Sequence, residues 1–215
     1  AAACRPAREV GGDYYDLFEV EPGRVAFALG DVSGKGVGPS VVTAGVHALV
    51  RSLLPRNAED LPALMAEINE HLLRSTSPAM FVTLFIGLLD AASGRLRYVN
   101  AGHVPPALLS VGCDAPLALD RGGPVAGILP GVRYEEGEAR LDPGGLLVLV
   151  SDGVTEAADA NGEMFEEWRI HQVLREARSL PADGVLSRVL ESVDRFAAGR
   201  EQSDDISLVV IRRAC

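Results

Sequence analysis

Short apolar runs punctuated by Gly, Pro and Asp turns account for most of the chain, and three longer stretches have helical spacing. Residues 14–20 and 24–30 flank Glu21-Pro22-Gly23, which predicts a β-hairpin. Residues 81–90 and 95–101, separated by Ala92-Ser93-Gly94, predict a second strand pair. Further strands are predicted over 106–111, 133–141, 146–151 and 206–212, all short and rich in Val, Leu and Ile. Apolar residues recur at helical spacing from Val41 to Leu54, behind the start signal Pro39-Ser40, and again from Leu61 to Leu73. A third helix spans 185–196, with Gly199 as its stop, and 168–177 carries a weaker helical pattern. Hairpins interrupted by paired helices, rather than strict strand-helix alternation, predict antiparallel sheets covered by helices.

Composition narrows the class. The 215 residues, 47% of them hydrophobic and without repeats or a polar tract, suit one globular domain covering 1–215. A net charge of −10 opposes attraction to nucleic acid or to anionic lipid, and by itself it signifies solubility. Cys4, Cys113 and Cys215 form no C-x-x-C pair, and their odd number points to a reducing compartment. The sequence shows neither a run of roughly 18 apolar residues nor a signal-peptide pattern, so the expectation is a cytoplasmic protein without membrane insertion. The first residue is not methionine, and a piece of a longer, regulated protein is expected.

The hairpin carries the first chemistry. A turn at Pro22 sets Asp13, before the first strand, opposite Asp31, after the second. Facing carboxylates repel unless a cation or proton lies between them. The apolar run 146–151 also ends in Asp152-Gly153, and Asp204-Asp205 precedes the strand at 206. Antiparallel pairing of these two strands brings all four acidic positions to one sheet edge. Turn formation explains any single Asp-Gly at a strand end; four on one edge describe a carboxylate metal cage. Oxygen-only ligands select hard cations such as Mg²⁺ or Mn²⁺, and two such ions about 4 Å apart activate a water for attack on phosphorus.

Five ordered motifs then carry a resemblance: Val10-Gly11-Gly12-Asp13-Tyr14-Tyr15-Asp16, Gly30-Asp31-Val32-Ser33-Gly34-Lys35-Gly36, Asn100-Ala101-Gly102-His103-Val104-Pro105-Pro106, Ser151-Asp152-Gly153-Val154-Thr155-Glu156-Ala157 and Ser203-Asp204-Asp205-Ile206-Ser207. Together they resemble the metal-dependent protein phosphatases (PPM, type 2C), in the bacterial branch of SpoIIE and RsbU. The resemblance implies an α+β fold, a four-layer α-β-β-α sandwich of two antiparallel sheets flanked by helices, and a site for two divalent cations, Mn²⁺ or Mg²⁺. It implies that Asp31 bridges both ions, that Asp13 and the Val32 carbonyl serve one, and that Asp152 and Asp204 serve the other. Asp205 stands outside the ligand set, and Gly12 occupies a position where the broader family often has a second acid. Arg8, by resemblance, and Lys35 are the candidate contacts to substrate phosphate. The metal-bridging water is the nucleophile, so no catalytic side chain is assigned.

The implied reaction is hydrolysis of phosphoserine or phosphothreonine on a protein, with a STAS-domain anti-sigma-factor antagonist as the implied substrate. Expected partners are that phosphoprotein, an upstream regulatory or sensor domain or activator, and a second copy of the chain. The helices over 41–54 and 61–73 are the candidate regulatory switch by the same resemblance. His103 lies in a motif that reads as structural rather than as a general acid, and His47, His71 and His171 have no metal spacing. The segment 154–163 is expected to be a mobile loop that selects substrates. Two other readings compete. One is a P-loop protein, which fails because three residues rather than four separate Gly30 from Gly34 and because Gly36 replaces the Ser/Thr. The other is a catalytically weak or silent binding module of the same fold, against which the four aspartates argue.

Overall fold

A computed structural model describes residues 1–77 and 79–214; Cys215, the last of the three cysteines, lies outside them, and Cys4 and Cys113 are free thiols. The predicted hairpin forms as β2 (Asp13–Glu21) and β3 (Arg24–Val32), turning at Gly23 with φ 79°. That left-handed conformation is one a glycine adopts without steric cost. Next come α1 (Val37–Asn57), α2 (Leu61–Ser75), β4 (Val82–Asp90) and β5 (Arg95–Ala101). The order of β2, β3, β4, β5 and β8 (Gly122–Gly123) makes one sheet, with β9 (Gly137–Arg140) also on β5. The second sheet runs β1 (Ala2–Arg5), β11 (Ile206–Arg212), β10 (Leu146–Val150), β6 (Ala107–Leu109), β7 (Leu117–Ala118). All ladders are antiparallel except the short β5–β8 pair.

Strand alternation sorts the side chains into three apolar layers. Ala26, Ala28, Leu84 and Ile86 face α1 and α2, where Val46, Val50, Leu54, Leu64, Met65 and Ile68 cover them. Phe27, Leu29 and Phe85 point the other way, onto Leu147, Leu149 and Val209 of the second sheet. The outer face of that sheet, with Val148, Leu208 and Val210, packs on α4 (Glu166–Ala177) and α5 (Ala182–Phe196). The α-β-β-α sandwich expected from the sequence is therefore the observed fold.

Local chemistry explains the helix limits and several departures from expectation. Asp60 caps α2 by accepting the Ala63 amide at 2.9 Å, with a proline in the first turn. Helix α1 starts at Val37, ahead of its first periodic apolar residue, because Pro39 in the opening turn has no amide to satisfy. Among the described residues it is also the one helix long and apolar enough to cross a membrane by length and composition, with mean hydropathy 1.3. Here Val46, Val50 and Leu54 on its inner face are core residues of the sandwich. The strand predicted over 106–111 contracts to Ala107–Leu109 and the one over 133–141 to Gly137–Arg140.

The 154–163 segment is not an open loop. It begins inside α3 (Asp152–Thr155), with Val154 buried, and continues as a closed turn bridged between Ala158 and Met164. The Asp159 carboxylate accepts the amides of Asn161 and Glu163 at 2.8 and 2.9 Å, and Arg200 donates to the Asp159 carbonyl.

Phe27 and Gly87 are cross-strand partners, and a Cβ at Gly87 would overlap the Phe27 ring. Gly87→Val should therefore destabilise the fold by about 1–3 kcal/mol in urea unfolding. Adding Phe27→Leu should recover part of the loss, whereas an additive double mutant would contradict this packing.

Candidate metal centre

The inter-sheet layer changes character at one end. Moving along β3, the inward positions are Phe27, Leu29 and then Asp31; along β10 they are Leu147, Leu149 and then Ser151. The same parity places Asp13, the direct register partner of Asp31, and Ser207, followed outward by Asp205, at that end. Both first acids lie within strands rather than beyond their ends. Ser151 pairs with Ser207 through its amide, which donates to the Ser207 carbonyl at 2.9 Å, so Asp152 and Asp204 leave their strands on the same edge. Asp152 opens α3.

The electrostatics follow from this crowding. Burial pushes the Asp13 carboxyl up to about 8, and Asp31 and Asp205 add repulsion. The hydroxyls of Ser207 and Ser151 oppose the shift, but neither makes a hydrogen bond of full geometry, and both Asp13 oxygens are buried without a partner. Asp31 rises to about 7, first by burial and then by the charges of Asp152, Asp204 and Asp205. Asp152 is also raised, by burial and then by Asp204 and Glu156. Carboxylates that raise one another in this way form a site short of positive charge.

Asp205 does something different. Its carboxylate accepts the Gly12 amide at 2.6 Å and the Ala7 amide at 2.7 Å, which ties the 7–13 loop to β11. Its own carbonyl accepts the Ser151 hydroxyl at 3.0 Å, and the Ser207 amide donates to that hydroxyl at 2.9 Å. Helix α1 holds the same loop from the other side: Ser40 donates to the Gly11 carbonyl at 3.0 Å and Thr43 to the Gly12 carbonyl at 2.8 Å. Further along α1, Arg51 pairs with the buried Asp16 of β2, with His47 3.5 Å from the same carboxylate.

Lys35 lies 3.0 Å from Asp204 and donates to the Ser203 carbonyl at 2.6 Å. Arg8 is exposed, lines the same small cleft as Lys35, Gly34, Gly36, Asp204 and Asp205, and has no carboxylate partner among the described residues. His103 is buried, 3.0 Å from the Thr83 hydroxyl through Nδ1, and burial lowers it to about 4. It is neutral at physiological pH and closed off from solvent. From sequence, Ser151, Ser207, Ser40, Thr43 and Glu156 carried no role at the site. Ser151 and Ser207 were legible in principle, as hydroxyls at inward parity beside the acids.

A family model described as Stage II sporulation protein E (SpoIIE) matches residues 21–214. The chain belongs to the SpoIIE family. Within it, this SpoIIE-family chain is 29% identical to Protein IcfG of Synechocystis sp., over 99% of the chain and 37% of that protein. It is 26% identical to the phosphoserine phosphatase RsbU of Bacillus subtilis, over 97% of the chain and 61% of RsbU. It thus spans less than two thirds of the length of these relatives. Among solved structures, the SiaA-PP2C domain of Pseudomonas aeruginosa superposes with a TM-score of 0.86 at 20% identity, covering 99% of this chain and 85% of that one. The PPM Ser-Thr phosphatase MsPP of Mycobacterium smegmatis superposes with a TM-score of 0.71 at 19% identity, covering 99% and 97%. These superpositions establish the shared fold.

PPM phosphatases in general require metal ions, and the residues here fit that requirement. The unpartnered, buried Asp13 oxygens want a cation or a proton. A Cβ built on Gly12 would stand 2.9 Å from the Val32 carbonyl oxygen and 3.0 Å from Asp31 Oδ1, so two oxygens of the implied ligand set converge over this glycine. Among the described residues no three His, Cys, Asp or Glu side chains already close on one point.

Folded-state values of about 8 and 7 for Asp13 and Asp31, against 3.8 for an ordinary aspartate, mean that the metal-free fold keeps protons the unfolded chain gives up. Their contribution to stability is complete below pH about 4 and is lost as pH rises through 7 to 8. Thermal melting in chelator should show Tm falling between pH 6 and pH 8.5. Asp13→Asn should flatten that fall, and an unchanged slope in the variant would contradict the burial of an unpaired carboxylate.

Proposed function

We propose that this chain is the catalytic domain of a metal-dependent serine/threonine phosphoprotein phosphatase. The observation that carries the reading is the direct pairing of Asp13 with Asp31, in mutual repulsion with Asp152 and Asp204 at one end of the inter-sheet layer. Asp31, which feels the charges of Asp152, Asp204 and Asp205, would serve both ions, Asp13 and the Val32 carbonyl would hold one, and Asp152 and Asp204 the other. When bound, the ions, Mn²⁺ or Mg²⁺, would supply charge neutralisation and activation of the attacking water for displacement at phosphorus.

The chain's own residues then bind and orient the substrate. Arg8, unpaired at the mouth of the cleft, is suited to grip two phosphoryl oxygens through its planar fork. Lys35 is a mobile point charge that exchanges Asp204 for phosphate once the carboxylate is committed elsewhere. Asp205 holds the amides of Ala7 and Gly12, so Arg8 and Asp13 are carried by one anchored loop.

The relatives named phosphoserine phosphatase support a phosphoserine or phosphothreonine protein as the substrate class, and we assign a STAS-domain anti-sigma-factor antagonist to that role. The greater length of those relatives supports a regulatory or sensor segment as a partner in the whole protein. A second copy of the chain is a further proposed partner, and the cytoplasm the proposed location. A second reading, a signalling module of this fold with little turnover, rests on the Lys35–Asp204 pair, in which the lysine stands in for a cation.

Hydrolysis of p-nitrophenyl phosphate or of a phosphoserine protein with added Mn²⁺, against an EDTA control, separates the two. Turnover that EDTA abolishes, and that Asp31→Asn and Asp152→Asn each reduce at least about a hundredfold, supports the phosphatase; inactivity with every substrate supports the module. Metal-independent turnover would contradict the two-ion assignment. Arg8→Ala should raise KM about tenfold or more with a smaller effect on kcat, and an unchanged KM would remove Arg8 from the phosphate site.

A further inference from the structure

The acids from the two sheets repel one another, so something must hold the sheets at a fixed spacing at this end. We infer that the Thr83–His103 pair is that spacer, a positioning device between Asp31 on one sheet and the end of β10, which leads into Asp152, on the other, and that it sets the affinity of the proposed metal site. This inference rests on the proposed function.

Thr83 on β4 is the direct cross-strand partner of Asp31, so their side chains emerge on the same inter-sheet face. Its hydroxyl lies 3.0 Å from His103 Nδ1. The ring is closed off from solvent, and it lies against the backbone of Val150, the last residue of β10 and two positions before Asp152. The imidazole therefore spans from the neighbour of one acid to the strand that delivers the other.

Its placement is closely determined. The Asn100 side chain brackets the His103 backbone, accepting its amide at 2.8 Å and donating to its carbonyl at 3.0 Å, with a further bond to the Leu119 carbonyl at 3.1 Å. Gly102, at φ 68°, turns the chain inward where a Cβ would strike Val125. Ordinary packing does not explain the residue type, because His103 Nε2 is buried with no hydrogen bond of full geometry, the Val150 backbone being its near neighbour, and an aliphatic side chain would avoid that desolvation. A hydroxyl-to-imidazole bond has a defined length and direction, which apolar packing lacks. Either tautomer sustains it, since the hydroxyl both donates and accepts.

The test is Mn²⁺ titration calorimetry on wild type, Thr83→Val, Thr83→Ser and His103→Leu, with melting curves and phosphatase rates alongside. Thr83→Val keeps the shape of the side chain and removes the bond; it should weaken Mn²⁺ binding about 10–100-fold, with turnover recovered at saturating Mn²⁺. Thr83→Ser should restore near-normal affinity. Adding His103→Leu to Thr83→Val should cost no further affinity, because both remove the same bond. Mn²⁺ affinity within twofold of wild type in a folded Thr83→Val protein would overturn the inference and leave the phosphatase reading standing. A wild-type protein that binds no Mn²⁺ would overturn both.

Discussion

The repulsion between Asp13 and Asp31 is the constraint around which the rest of the molecule is arranged. Two carboxylates meet as cross-strand partners at a place where the inter-sheet layer has just stopped being apolar, and Asp13 has no partner for either oxygen. In water such a pair costs little; buried between sheets, it persists only if a proton or a cation is shared there. Apolar packing elsewhere opposes that cost, since Phe27, Leu29, Phe85, Leu147 and Leu149 continue the same faces inward and lock the register. A one-residue slip of β2 against β3 would turn Asp13 toward the helices and bring Tyr14 inward in its place, while Asp31 stays held by the pairing of β3 with β4.

The neighbours of the pair are arranged to hold it. Asp205 collects amides from the 7–13 loop, while Ser40 and Thr43 of α1 collect its carbonyls, so that loop is fixed from both flanks. Arg51 pins α1 to β2 through Asp16, three residues beyond Asp13. Movement of α1 along its axis therefore acts on the backbone that carries Asp13. Val37 and Val41, at the end of the helix nearest the loop, are solvent-exposed.

Much of this was legible in the sequence, for identifiable reasons. The Pro22-Gly23 turn fixes where β2 and β3 fold back, and alternation then fixes which residues oppose, so the meeting of Asp13 and Asp31 needed only parity. The Leu146–Val150 and Ile206–Arg212 runs were equally plain, and their antiparallel pairing brings Asp152 and Asp204 to one edge. Strand β1 was not legible, because Ala2–Arg5 has no alternation of its own and pairs with a strand some 200 residues away. The Lys35–Asp204 contact and the amides gathered by Asp205 depend on loop paths that no periodicity encodes. The 154–163 segment looked open because Asn161-Gly162 signals a turn, while the Asp159 bonds that close it are visible only in three dimensions.

Membership of the SpoIIE family and the sandwich fold give this edge its precedent, and the residues give it its chemistry. If the acids are held partly protonated by their own crowding, then a divalent cation must displace protons as it enters. Titration calorimetry of Mn²⁺ at pH 7 in buffers of different ionisation enthalpy measures ion count and proton release together. Two ions should bind with net proton release, and Asp31→Asn should lose both. Binding without proton release, or binding that survives in Asp31→Asn unchanged, would contradict it.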